Sequence, residues 1–239
     1  MIKAESICRT FRQADSSLFR ALDNVSLEIS DGDTLVIAGA NGSGKSLLMR
    51  IISGLEKPSS GTVESSGPVG LVFQDPDAQI LADTPLEDVL FSLSSQKGLS
   101  KAQAREKALQ ALEQVGIADR KDSPAHLLSG GEKRRLAIAS VLALGRNTVI
   151  FDEPYSNLDY PGVKSVNAMI GKLQEEGFTI VILTHELEKC LGLANRFAVL
   201  SNGKLAYDGP ASEALKLDLG KWGIRNPLPG GDPSELVWR

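Results

Sequence analysis

Gly39-Ala40-Asn41-Gly42-Ser43-Gly44-Lys45-Ser46 fits the pattern G-x-x-x-x-G-K-[ST] at every fixed position, and its flanks say what it joins. Before it, Thr34-Leu35-Val36-Ile37-Ala38 is an apolar run of the kind found in strands buried on both faces. After it, Leu47, Leu48, Ile51 and Ile52 recur at helical spacing and predict the packed face of a helix. Strand, glycine loop and helix in this order make a phosphate cradle. Glycines 39, 42 and 44 allow positive φ and close backbone approach, so that successive N–H groups can point at phosphate oxygens. The helix N-terminus adds a dipole that favours the anion.

The same kind of apolar run returns at residues 69–73, 148–151, Thr179–Leu183 and 197–200, which predicts a mostly parallel sheet covered by helices. Val25-Ser26-Leu27-Glu28-Ile29 alternates instead, as a half-exposed strand does, so an N-terminal antiparallel sheet is expected to lean on the parallel core. Between about residues 76 and 140 the strand signals vanish. Ala, Lys, Glu and Gln take over, with Leu109, Leu112 and Val115 at three-residue steps and Gly98 and Gly116 as punctuation. The predicted division is a discontinuous α/β core over 1–75 and 141–219, a helical subdomain over 76–140, and a loosely structured tail over 220–239. Pro227, Pro229, Gly230, Gly231 and Pro233 crowd that tail.

Composition sets outer bounds. With 42% hydrophobic and 23% charged residues the chain reads as an ordinary soluble globular protein, one large domain or a domain with a subdomain. A formal net charge of -4 gives no support for a nucleic-acid partner. No uncharged apolar run approaches the roughly 20 residues that span a bilayer. The start, Met1-Ile2-Lys3-Ala4-Glu5, lacks the apolar stretch of a secretory signal. Cys8 and Cys190 stand far apart, too few for a disulfide scaffold or a tetrahedral metal site, and are expected as reduced thiols.

Two further strand ends carry chemistry. Thr148-Val149-Ile150-Phe151 runs into Asp152 and Glu153, at the edge where parallel α/β sheets bind their ligands. Read alone, the pair could merely cap the turn at Pro154. Beside a phosphate loop, Glu153 is the candidate base that orients and polarises an attacking water. His185 ends a second buried run at the same edge. In the loop itself, Lys45 would place a point charge on the β/γ-phosphates, and the Ser46 hydroxyl is placed to ligate Mg²⁺.

Leu128-Ser129-Gly130-Gly131-Glu132 lies between these elements, and with it the whole set resembles the ATP-binding-cassette (ABC) ATPase family over nearly the full chain. The resemblance implies a P-loop NTPase cassette that binds ATP and Mg²⁺, with Asp152 positioning the metal and His185 as the switch histidine. Gln74 resembles the Q-loop glutamine that senses the metal. Ser129, Gly130, Gly131 and Glu132 resemble the signature, which opens a helix onto the ATP of a partner subunit in a head-to-tail dimer. Asp159, in Ser156-Asn157-Leu158-Asp159, resembles the D-loop residue that crosses this interface. The adenine needs an aromatic platform from the N-terminal sheet. Phe11 is the first choice and Phe19 the second, a plain core phenylalanine being the other reading of both.

The stretch from Ser46 to Ser129 is too short for the coiled coil of DNA-repair cassettes, and only one cassette is present, unlike translation factors. Phe73-Gln74-Asp75-Pro76-Asp77-Ala78-Gln79-Ile80, the helix start at Asp83-Thr84-Pro85-Leu86-Glu87-Asp88-Val89 and the tail Trp222-Gly223-Ile224-Arg225-Asn226-Pro227 are similar to the energy-coupling-factor (ECF) group of vitamin and transition-metal-ion importers. That similarity implies an ATPase peripheral to the cytoplasmic face of the membrane. It would work with a second cassette (identical or related), a transmembrane coupling protein and a small integral substrate-binding protein. A subunit of another ABC importer or exporter is the alternative, and a soluble ATPase acting on a protein assembly comes after it.

Overall fold

The structure is a computed structural model that describes residues 1–238. In chain order its elements are β1 (Ile2–Arg12), β2 (Leu18–Ile29), β3 (Thr34–Ala38), α1 (Lys45–Ile52), β4 (Ser60–Ser65), β5 (Val69–Val72), α2 (Pro85–Leu93), α3 (Lys101–Gln114), α4 (Gly130–Ala143), β6 (Thr148–Asp152), α5 (Tyr160–Glu175), β7 (Thr179–Leu183), β8 (Arg196–Ser201) and β9 (Lys204–Pro210), with short 3-10 turns between them.

Six strands form the central sheet in the order β5-β6-β7-β3-β8-β9. All pairings are parallel except β8–β9, a hairpin closed by Asn202-Gly203. Both turn residues have positive φ, 49° and 72°, the geometry whose twist matches two antiparallel strands. The strand β3 that feeds the phosphate loop sits mid-sheet, between β7 and β8. Every residue of β3 and of β7 is buried, which is why both read as unbroken apolar runs.

Alternate residues of these strands feed two cores. Leu35, Ile37, Ile150, Val181, Leu183 and Leu200 face α1 and the smaller sheet, order β2-β1-β4. Val36, Phe151, Ile182, Phe197 and Val199 face the remaining helices. Each fully buried Val, Leu or Ile here contributes about 1.5–3 kcal/mol. In the small antiparallel sheet Val25, Leu27 and Ile29 are buried while Ser26 and Glu28 are exposed, as the alternation predicts.

The helices α2, α3 and α4 form between residues 85 and 143. On α3 the buried line is Ala108, Ala111 and Leu112 continuing to Val115, and Leu109 is only half-buried. A pure three-residue step drifts off a helix face, whereas mixed steps of three and four follow it. Asp88, in the first turn of α2 as the helix start implies, is buried. Its carboxylate accepts from the N–H groups of Leu81 (2.7 Å) and Ala82 (3.3 Å) and from the Ser140 hydroxyl (2.9 Å). This ties the entry of α2 to α4.

The tail is not loose. Its prolines and glycines keep residues 220–238 out of long helices and strands, but not out of the core. Ile224 and Leu236 are buried, and Trp222, Leu228 and Trp238 pack against the helical-side core. Backbone bonds fasten it: Gly230 N–H to the Leu215 carbonyl, Gly192 N–H to the Leu236 carbonyl, and Trp238 N–H to the Lys189 carbonyl.

Candidate active site

The phosphate loop leaves β3 at Ala38 and enters α1 at Lys45. Gly42 (φ 77°) and Gly44 (φ 102°) lie in the left-handed region. Gly39 does not, so of the two properties expected of these glycines, positive φ and close backbone approach, it uses the second. Its reason is space: a Cβ there would stand 2.3 Å from the Leu200 carbonyl oxygen and 2.6 Å from Ser43 Oγ. The loop is held from outside as well, because Gly203 of the β8–β9 turn donates its N–H to the Ser43 carbonyl (3.1 Å) and accepts from Asp23 N–H (2.8 Å).

Lys45 lies across the loop with its ammonium donating to the Gly39 carbonyl at 2.7 Å and the Ala40 carbonyl at 3.4 Å. Burial lowers its pKa below the ordinary lysine value, against the opposing pull of Glu153 and Asp152. The Ser46 hydroxyl donates to Asp152 Oδ1 at 3.0 Å. Burial raises the Asp152 carboxyl above its ordinary range, and the Ser46 hydrogen bond partly offsets this.

Glu153 follows β6 with φ 46°, left-handed for a non-glycine residue, and its N–H donates to the Leu183 carbonyl at the end of β7. Such a conformation costs about 1–3 kcal/mol and persists only where the surroundings over-determine it. Glu153 Oε1 lies 3.1 Å from His185 Nδ1 and 3.9 Å from Lys45 Nζ. Glu153 Oε2 is buried with no hydrogen-bond partner among the described residues. One cleft of about 480 Å³ brings together Asn41 to Ser46, Gln74, Glu153 and His185. Gln74 reaches it from the end of β5, with Nε2 3.5 Å from Ser156 Oγ.

The aromatic candidates lie elsewhere. Phe11 and Phe19 are cross-strand partners in the β1–β2 hairpin, 40% and 51% exposed, so neither is a core residue. Neither lines the cleft, although Ala21, two residues beyond Phe19, does. Arg9 stacks its guanidinium on Phe11 at 4.7 Å.

Ser129 to Glu132 also lie outside the cleft. Ser129 caps α4: its Oγ accepts from Glu132 N–H (3.3 Å), and Glu132 Oε2 accepts from Ser129 N–H (2.8 Å). That backbone bond from Ser129 is the main reason the Glu132 carboxyl titrates below its ordinary range. The first N–H groups of α4, at Gly130 and Gly131, have no intrahelical acceptor by position. They open onto a surface hollow of about 470 Å³ shared with Asn157, Leu158 and Asp159. Asp159 caps α5 through Oδ1, which accepts from Gly162 N–H at 2.9 Å.

Two side chains fix the Q-loop position: Gln79, part of the stretch similar to the ECF group, and Arg134, which carries little local signal. The Phe73 peptide, one residue before Gln74, is held on both sides. Gln79 Oε1 accepts its N–H (3.0 Å) and Arg134 Nη1 donates to its carbonyl (2.7 Å). Arg134 is 2% exposed, and an arginine buried on α4 looks in the sequence like any charged residue of a helix surface.

Fold and site together define a P-loop nucleotide-binding ATPase. The chain belongs to the ABC transporter family, whose profile matches residues 22–156. It is 38% identical over 226 residues to the cobalt import ATP-binding protein CbiO of Rhodobacter capsulatus, covering 87% of this chain and 80% of that one. It is also 38% identical over 232 residues to the energy-coupling factor transporter ATP-binding protein EcfA1 of Bacillus subtilis, covering 91% and 81%. Among solved structures it resembles cbiO1 of Clostridium perfringens, part of the cbiONQ complex, with TM-score 0.77, 31% identity, and 93% and 96% coverage. It also resembles the dimeric cassette MJ0796 in a post-hydrolysis state bound to ADP and Pi, with TM-score 0.79, 28% identity, and 88% and 99% coverage. The chain is therefore an ATP-binding cassette ATPase of the transport type.

Proposed function

We propose that this chain hydrolyses ATP to power an ECF-type importer of a small nutrient, a vitamin or a transition-metal ion. The observation that carries the chemistry is the Glu153 carboxylate, with one oxygen on His185 and the other buried and unpartnered beside the phosphate loop. Loop N–H groups from Gly39 to Gly44 and the Lys45 ammonium hold the phosphates. Glu153 orients the attacking water and takes up its proton as the oxygen bonds to the γ-phosphorus, while the bond from that phosphorus to the β–γ bridging oxygen breaks and ADP leaves with phosphate. His185 steadies the water and the γ-phosphate. Phe11, or Phe19 opposite it, supplies the adenine platform.

The donor set fits Mg²⁺, because Ser46 Oγ and Asp152 Oδ1 are hard oxygens 3.0 Å apart at the start of α1. Ser46, Asp152 and the Gln74 carbonyl oxygen would hold the ion, with waters completing its shell. When bound it neutralises charge on the β- and γ-oxygens.

The placement of Ser129, Gly130, Gly131 and Asp159 around a separate surface hollow supports a head-to-tail dimer, in which this hollow meets the ATP of a second cassette. The dimeric MJ0796 structure supports the pairing of two cassettes, and the cobalt-import and energy-coupling-factor names of the CbiO and EcfA1 relatives support a place in a transporter, for which the proposed partners are a transmembrane coupling protein and a small integral substrate-binding protein. No helix of the described residues is long and apolar enough to cross a membrane, and we assign the chain a peripheral place on the cytoplasmic face. Residues 1–75 and 141–219 act as the nucleotide-binding core, 76–140 as the helical signature subdomain and 220–239 as the C-terminal segment.

Glu153→Gln tests the chemistry: phosphate release should stop while ATP traps the protein as a dimer on size-exclusion chromatography. Full turnover in that variant would overturn the catalytic assignment. Mild-detergent purification of the tagged chain from its native membranes tests the system. One coupling protein plus a small integral binding protein is the expected recovery, and a large permease or only soluble partners would refute the ECF reading.

A further inference from the structure

Behind the site, and outside it, lies a buried polar cluster that joins three segments far apart in the chain. At its centre is Asn167, in the interior of α5 and 4% exposed. Its Oδ1 accepts from the Tyr155 hydroxyl at 2.8 Å. Its Nδ2 donates to the Lys189 carbonyl at 2.7 Å and to the Trp238 carbonyl at 3.0 Å. The amide is thus satisfied on both ends, and its orientation is fixed by two carbonyl acceptors on one side and a hydroxyl donor on the other.

We propose that Asn167 is a positioning residue for the Glu153–His185 pair, acting through Tyr155 and Lys189 and locked by the C-terminal segment at Trp238. The role presupposes Glu153 and His185 as assigned above. Tyr155 stands two residues after Glu153, with its ring buried. Lys189 stands four residues after His185, in a turn held by its own N–H on the Glu186 carbonyl (3.2 Å) and by an ion pair with the Glu186 side chain. On the near side, Glu153 and the end of β7 are joined by the bond from Glu153 N–H to the Leu183 carbonyl. On the far side, the two catalytic segments are joined through this amide, and Tyr155 also meets the second segment directly, with the Lys189 ammonium 5.9 Å from its ring centroid and the Cys190 thiol in hydrogen-bond reach of its hydroxyl.

A left-handed glutamate needs restraint from both directions to hold its carboxylate against a histidine that is itself 52% exposed. The sheet supplies one restraint and Asn167 the other. The C-terminal segment closes the cluster. Trp238 N–H donates to the same Lys189 carbonyl, and the Trp238 ring takes the Lys189 ammonium over its face at 5.3 Å. A buried amide satisfied at every position rigidifies what it touches, and losing one member leaves the others unpaired in a low-dielectric interior.

The test compares Tyr155→Phe, Asn167→Asp and the double variant in the full-length chain, with Glu153→Gln alongside. Tyr155→Phe removes one hydroxyl and keeps the ring. Asn167→Asp keeps the acceptor for Tyr155 and removes the donors to Lys189 and Trp238. Both single variants should lower kcat by about tenfold or more with KM for ATP held within about twofold, the signature of misplaced catalytic groups rather than weakened binding. The double variant should lose little beyond the worse single one, because both break the same connection. Unchanged kcat with only a lower Tm would make the cluster merely structural and overturn the proposal. An equal loss in kcat and ATP affinity would overturn it too. If Asn167→Asp does not fold, Tyr155→Phe decides alone. If Glu153→Gln keeps turnover, the site assignment fails; if it loses turnover while Tyr155→Phe keeps it, only the positioning role fails.

Discussion

Replacing Gly39 by alanine should damage the phosphate loop by crowding alone. The new methyl would sit 2.3 Å from the Leu200 carbonyl oxygen, where ordinary contact begins at 3.4 Å, so something must move by about 1 Å. Leu200 cannot yield easily, since β8 is paired with β3 along Leu35 to Ala38. Ser43 Oγ, 2.6 Å from the methyl, is already buried without a hydrogen-bond partner among the described residues. The displacement therefore falls on the loop and carries Lys45, whose ammonium is bonded to the Gly39 carbonyl. Overpacking of this kind costs about 1–3 kcal/mol. For a domain of this size that lowers Tm by about 2–12 °C. Moving phosphate-facing N–H groups by about 1 Å forfeits at least one net hydrogen bond, which weakens ATP binding by about tenfold. Thermal unfolding and titration with a fluorescent ATP analogue read the two effects. Gly67→Ala is the control, because a Cβ there meets nothing within 4 Å. If Gly39→Ala matched Gly67→Ala in both measurements, the crowding account would be refuted.

Two other outcomes follow from the same geometry. Gly171 lies inside α5 with no atom of the described residues within 4 Å of an added Cβ, so Gly171→Ala should raise stability by about 0.5–1 kcal/mol in urea unfolding; a loss would show an unseen constraint there. Asp152→Asn should abolish phosphate release yet stabilise the fold at neutral pH. The folded state holds this carboxyl's proton more tightly than the unfolded chain does, so the ionised group is a penalty fully present above its raised pKa and absent below 3.8. The stability gain of the variant should therefore shrink as pH falls through the raised pKa towards 3.8, and a gain constant with pH would contradict burial as the cause.

The parts of this fold legible in sequence are those that repeat locally. Residues 34–46 announce strand, loop and helix because burial on both faces and the need for φ > 0 each leave a mark within a few positions. Asp152, Glu153 and His185 are legible as strand-end residues, and the structure brings Glu153 and His185 to one cleft with Lys45 and Gln74, with Asp152 bonded to Ser46 of the same loop. What was not legible depends on distant partners. A buried Asp88, Arg134 or Asn167 looks in sequence like a polar residue on a helix surface, because what satisfies it lies on another element. The tail misled for a related reason: its prolines and glycines forbid regular elements, while Ile224, Leu236 and Trp238 still find a core to enter. The loop pattern does not say which of its glycines needs positive φ and which needs space, and only the β8 backbone beside Gly39 shows that its reason is steric.

The position of β3 between β7 and β8 has a consequence for the chain as it leaves the ribosome. The strand that carries the phosphate loop is made early, and both of its sheet neighbours are made late. The turn at Gly203 that fastens Ser43 arrives later still. Until then β3 has two unpaired edges and the loop lacks the backbone that fastens Ser43, so the support of the phosphate loop is completed only when the last third of the chain has been made. An unpaired strand is a template for pairing with other chains, which makes this interval the one in which the early part of the chain is exposed to misassociation.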